Sequence, residues 1–135
     1  MDNTPTLVLC IDDETLGLKV RRMVLEHAGY QVLTASNGEE GLEVFSANPV
    51  ELVVLDYAMP GLNGGEVAAR MRQIKPEVPI ILLSAYVDLG PNVASLVDRY
   101  MVKGIGAAAL LAAIANILAS RPSRLWQKGT AARDA

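Results

Sequence analysis

Short, almost continuous apolar runs alternate along this chain with segments in which apolar residues return every three or four positions. Strands covered on both faces read as unbroken hydrophobic runs, so the alternation predicts a parallel sheet with helices packed over it. Leu7–Ile11 is the first run. Residues 14–28 follow as a helix, with Leu16, Val20, Met23 and Val24 as its buried stripe, stopped by Gly29, which takes the left-handed conformation cheaply. Residues 30–34 read as a second strand, and Asn37-Gly38 opens a short helix through Leu42, Val44 and Phe45 that ends at Asn48-Pro49. Leu52–Asp56 is a third strand, followed by a Gly- and Pro-rich loop from Met59 and a helix from Gly65 or Glu66 to Lys75. Ile80–Ser84 is the fourth strand. Residues 91–97 form a short helix with proline in its first turn, 100–103 the fifth strand, and Ala107–Ala119 an alanine- and leucine-rich last helix.

Length and composition narrow this picture. At 135 residues the chain is the size of one domain, and the reading divides it into an extension (1–6), a core (7–120) and a tail (121–135). Residues 1–120 carry 8 Lys/Arg against 14 Asp/Glu, and the tail 4 against 1. That basic tail, with Trp126, is read as a solvated terminus. No apolar run approaches the roughly 20 residues that span a bilayer, and no leader pattern opens the chain, so a soluble, cytoplasmic protein is expected. Cys10 is the only cysteine; inside a strand it suits packing. His27, the only histidine, suits the negative end of the first helix.

The chemistry lies at strand ends. Asp12 and Asp13 follow the first strand, Asp56 closes the third, Ser84 the fourth and Lys103 the fifth. In an open parallel sheet, ligands bind beyond the carboxyl ends of the strands, so these groups share one edge. Clustered carboxylates are best tolerated around a hard cation such as Mg2+ or Mn2+. A nucleophilic acid, a cation site, an ammonium and a hydroxyl together point to phosphoryl transfer to a carboxylate. Asp56, alone on its strand, is the expected nucleophile. The pair Asp12 and Asp13 would hold the metal directly or through water, while Lys103 and Ser84 would each serve one phosphoryl oxygen.

From about Leu7 to Ser120 the chain resembles the receiver domain of two-component response regulators. The resemblance is carried by Asp12-Asp13-Glu14, by Asp56 in Leu-Asp-Tyr-Ala-Met-Pro-Gly-Leu-Asn-Gly, by Ser84-Ala85, and by Tyr100 three residues before Lys103. It implies a doubly wound, flavodoxin-like α/β fold with a five-stranded parallel sheet and helices on both faces. It also implies phosphorylation of Asp56 by a phosphohistidine on a sensor histidine kinase or phosphotransfer protein, the receiver itself catalysing the transfer and its own dephosphorylation. Mg2+ would be held by Asp13, Asp56 and the backbone carbonyl of Ala58, with Asp12 acting mainly through water. Ser84 and Tyr100 would be the switch pair.

Two departures stand out. Gly104 follows the lysine where the family usually has a cis proline; a cis bond to glycine costs about 3 kcal/mol, so a trans bond and a different loop course are expected. Only 19 positions separate Ser84 from Lys103, which predicts a short or irregular fourth helix. Ala58 and Tyr86 stand where the family adjusts the access of water to the acyl phosphate. The leading expectation is a stand-alone receiver that signals through a downstream protein, with no DNA-binding domain and no membrane segment, as a monomer or as a homodimer through its C-terminal half, where Ala108, Ala112, Ala115 and Ala119 smooth one side of the last helix. The alternatives are a receiver-like interaction module independent of phosphorylation, and a Mg2+-dependent aspartyl phosphatase, for which Ala58 stands where a second acid is expected.

Overall fold

The computed structural model describes residues 4–85 and 89–121. Among these residues, five strands alternate with five helices: β1 (Leu7–Ile11), α1 (Thr15–His27), β2 (Gln31–Ala35), α2 (Gly38–Ala47), β3 (Leu52–Asp56), α3 (Gly64–Ile74), β4 (Ile80–Ser84), α4 (Pro91–Ala94), β5 (Arg99–Val102) and α5 (Ala107–Ala119). The strands form one sheet in the order β2-β1-β3-β4-β5, every pair parallel. The chain starts in the interior of the sheet, extends one way to β2, then crosses β1 to add β3, β4 and β5. With right-handed crossovers, that reversal places helices on both faces. The doubly wound α/β architecture expected from the sequence is the one observed.

Side chains alternate between two cores. Leu9, Ile11, Val53, Leu55, Ile80 and Leu82 join Phe45, Val67 and Met71 from α2 and α3. Val8, Cys10, Leu52, Val54, Ile81 and Leu83 join Leu18 and Leu25 of α1 and Leu110 and Ile114 of α5. All residues of β1, β3 and β4 are buried, which is why these strands were legible as continuous apolar runs.

Several boundaries differ from expectation. β2 and β5 are displaced by one residue, in opposite directions; Lys103 lies just past its strand, and α4 is a single turn. α3 begins at Gly64, where the Asn63 side chain accepts from Glu66 N–H and the Glu66 carboxylate accepts from Asn63 N–H, the reciprocal cap that fixes a helix start. The larger correction concerns α1. Leu18 and Leu25 are its buried residues, whereas Leu16, Val20 and Met23 are 75%, 52% and 68% exposed and only Val24 of the expected stripe is partly buried. Stripes offset by two residues lie about 200° apart on a helix, so the inward face is nearly opposite the expected one. Leu16 and Val20 instead border an open groove of about 440 Å³, shared with Val102, Ile105 and Leu110. On α5, Leu110, Ala113 and Ile114 are buried, while Leu111, Ile117 and Leu118 are partly so; Ala108, Ala112, Ala115 and Ala119 face outward. No helix among the described residues is long and apolar enough to cross a membrane.

Candidate functional site

The site is built where the sheet's hydrogen bonding runs one residue past its strands. Asp12 N–H donates to the Ala35 carbonyl at 3.2 Å, Tyr57 N–H to Leu83 at 2.8 Å and Lys103 N–H to Ser84 at 2.7 Å. These bonds hold the residues that leave the strands as firmly as those within them. Asp12 then turns the chain into α1 by accepting Glu14 N–H on Oδ1 at 2.9 Å, the local bond that makes Asp a turn former. The loop after β3 is drawn back by Gly64, whose N–H donates to Tyr57 at 2.7 Å. A Cβ there would meet the Asp56 carbonyl oxygen at 2.7 Å, so glycine is required by the close approach of two backbones.

Oxygens of Asp12, Asp13 and Asp56 lie within 4.8 Å of one another, as the sequence implied. Asp12 and Asp56 are buried and Asp13 is exposed. Lys103 Nζ stands 3.2 Å from Asp56 Oδ1, 3.4 Å from Asp12 Oδ2 and 2.5 Å from Glu14 Oε1. The turn after β5 is made by Gly104 and Gly106 at positive φ, with no cis peptide among the described residues, and it still delivers the lysine to Asp56. Ser84 is buried beside it at the end of β4. Tyr100 pairs with Leu82, two residues before Ser84, hence on the same face of the sheet; its ring packs on the α2 and α3 core, with the hydroxyl buried and without a hydrogen-bond partner among the described residues. Ala58 lies two residues beyond Asp56 on the loop. Tyr86, Trp126 and the tail beyond residue 121 fall outside the described residues.

Burial, and then the neighbouring Asp12 carboxylate, push Asp56 up to about 6 against the opposing pull of Lys103. For Lys103, burial opposes the charge, but the bond to Glu14 and the fields of Asp56 and Asp12 outweigh it and hold the ammonium above its ordinary range. Asp56 Oδ2 is buried and accepts no hydrogen bond among the described residues. An unsatisfied buried carboxylate oxygen costs free energy, and one among three converging acids fits a hard divalent cation with oxygen ligands.

Two members of the site were not assigned roles from the sequence. Glu14 holds Lys103, and Arg21 Nη1 lies 3.1 Å from Asp12 Oδ2 with its side chain only 12% exposed. The signal for Arg21 was present: it is three residues after Leu18 and four before Leu25, on the stripe that faces the sheet.

Three acids gathered at the carboxyl edge of a doubly wound sheet, with a lysine reaching in, form a cluster that could hold a metal ion. The sequence pattern of the response regulator receiver domain matches residues 8–115, and the chain belongs to that family. It is 38% identical over 121 residues to a probable transcriptional regulator, ycf27, of Pyropia yezoensis, a match covering 87% of this chain and 49% of that protein. It is 33% identical over 101 residues to the autoinducer 1 sensor kinase/phosphatase LuxN of Vibrio harveyi, covering 75% of this chain and 12% of that protein. The chain thus spans about half or less of the length of these relatives. Among solved structures, the response regulator protein TrrA from Thermotoga maritima, in complex with Mg2+-BeF, superposes with a TM-score of 0.77 at 36% identity, covering 84% of this chain and 99% of that one.

Proposed function

We propose that this receiver domain takes a phosphoryl group onto Asp56 from the phosphohistidine of a sensor kinase or phosphotransfer protein, and that the acyl phosphate is read by a downstream protein. The observation that carries this reading is Asp56 itself: a buried carboxylate with Lys103 at one oxygen and no hydrogen-bond partner among the described residues at the other.

A carboxylate oxygen of Asp56 attacks the phosphorus, the P–N bond breaks with its electron pair passing to the imidazole nitrogen, and the phosphoryl group remains as a mixed anhydride. Lys103 offers a point charge to one phosphoryl oxygen, and Ser84, at the end of the neighbouring strand, offers its hydroxyl to another. Asp13, Asp56 and the Ala58 carbonyl would hold Mg2+, with Asp12 acting through water; bound there, the metal neutralises charge on the phosphoryl oxygens. Movement of Ser84 toward the phosphoryl group would leave space behind it for Tyr100, on the same face. The added charge and acceptors then bias the surface that a partner reads. TrrA was solved with Mg2+-BeF, and the resemblance to it supports the same ion here.

The second reading is a receiver that engages its partner without phosphorylation. On its side stands the fact that Lys103 is nearer to Glu14 than to Asp56. Intact mass after incubation with acetyl phosphate and Mg2+ separates the two. A single phosphoryl addition, lost in Asp56→Ala, supports phosphotransfer; no adduct from any phosphodonor supports the second reading.

A further inference from the structure

We infer that Arg21 is a positioning residue for the acidic site: it locks Asp12 in a standing ion pair and thereby lowers the affinity with which Asp13 and Asp56 take up a divalent cation. The inference rests on the reading of these acids as a Mg2+ site.

Asp12 is the most enclosed of the three acids, with no exposed surface. Its Oδ1 is occupied by Glu14 N–H, and its Oδ2 faces both Arg21, at 3.1 Å, and Lys103, at 3.4 Å. The two cations are not equivalent. Lys103 divides its charge among Asp12, Glu14 and Asp56, and it is the group a phosphoryl oxygen on Asp56 would draw away. Arg21 has Asp12 as its one ion-pair partner among the described residues. A buried carboxylate that loses its counter-ion is strongly destabilised; with Arg21 in place, Asp12 stays paired whichever way the lysine turns.

The same contact acts on the metal. Asp12, Asp13, Glu14 and Asp56 carry four negative charges, and Lys103 and Arg21 offset two. The two that remain are what one divalent cation neutralises. A guanidinium on Asp12 Oδ2 holds the oxygen that would otherwise turn to the cation, and it adds a like charge beside it. At such separations, in a partly screened site, one unit charge changes cation affinity roughly tenfold or more.

Calorimetric titration of the full chain with MgCl2 tests this on wild type, Arg21→Met and Arg21→Lys, with the fold of each checked by circular dichroism. The methionine variant is expected to bind Mg2+ roughly tenfold more tightly, and the lysine variant as wild type does. A residue that served packing alone would leave that affinity unchanged. Should Arg21→Met not fold, Arg21→Gln carries the same expectation. Equal or weaker binding in the uncharged variants overturns the role of Arg21 and leaves the metal site standing. No Mg2+ binding by any protein, wild type included, overturns both.

Discussion

Asp56 carries two demands that conflict. The proposed transfer needs it ionised, yet burial and Asp12 raise it to about 6. Between its unperturbed value of 3.8 and about 6, the folded chain holds a proton that the unfolded chain has already released. Stability therefore falls as pH rises through that window, and the deficit persists above it. Asp56→Asn removes the charge at nearly constant shape. The variant is expected to be more stable than wild type at pH 7.5, by on the order of 1 kcal/mol, and the gap should shrink toward pH 4. Urea denaturation of both proteins at the two pH values checks this, and a gap independent of pH would refute it. At this scale much of the site could be read in advance. Asp12, Asp13, Asp56, Ser84 and Lys103 each end or follow an apolar run; singly such groups cap helices, form turns or stay solvated, and it was their coincidence at one sheet edge that pointed to chemistry. Glu14 escaped because its partner is supplied by the fold, Lys103 being 89 residues away in sequence; Arg21 escaped because the stripe it shares with Leu18 and Leu25 was passed over for a more apolar one.

Among the elements, the strands were the most legible and α1 the least. A continuous apolar run has one reading, but α1 offers two stripes of three- and four-residue spacing, and counting apolar residues selects the wrong one when a cation is turned inward. The corrected register has a mechanical signature. Leu25→Ala should cost about 2–5 kcal/mol, as expected for deleting a fully buried leucine, whereas Met23→Lys should change stability by less than about 0.5 kcal/mol. Thermal unfolding of the two variants decides between the faces, since the expected stripe would make Met23 the costly position. That α4 is short followed from the 19 positions between Ser84 and Lys103, but its reduction to one turn ending at Ala94 required the structure, because Leu96 and Val97 keep helical spacing while packing on the core from outside the helix.

Across the whole molecule, one side chain ties elements that no local pattern connects. Arg72 of α3 donates to the carbonyls of Leu96, Pro76 and Val78 and pairs with Asp98, whose carboxylate also accepts the N–H of Ile80. It thereby anchors the start of β4 and the turn into β5, the strand that leads directly to Lys103. Arg72→Met takes the arginine donor from the part-buried Leu96 and Val78 carbonyls and is expected to cost about 2–3 kcal/mol, with faster amide exchange in β5 than in β1. Equal exchange in the two strands would show that the edge is held by other means. The overall architecture was visible in the alternation of runs; this tie was not, because an arginine on a helix reads as a solvated residue until the fold brings carbonyls to it.

Cys10 gives the interior of the sheet a further property. It is the chain's one cysteine, has no exposed surface, and burial pushes its thiol to about 12, so near neutral pH it is both out of reach and in its unreactive form. A thiol-specific dye can label it only when β1 parts from its neighbours, two residues before Asp12. The native sequence thus contains its own chemical clock for opening beneath the acidic site, and any cation or phosphoryl group that stabilises that site should slow it.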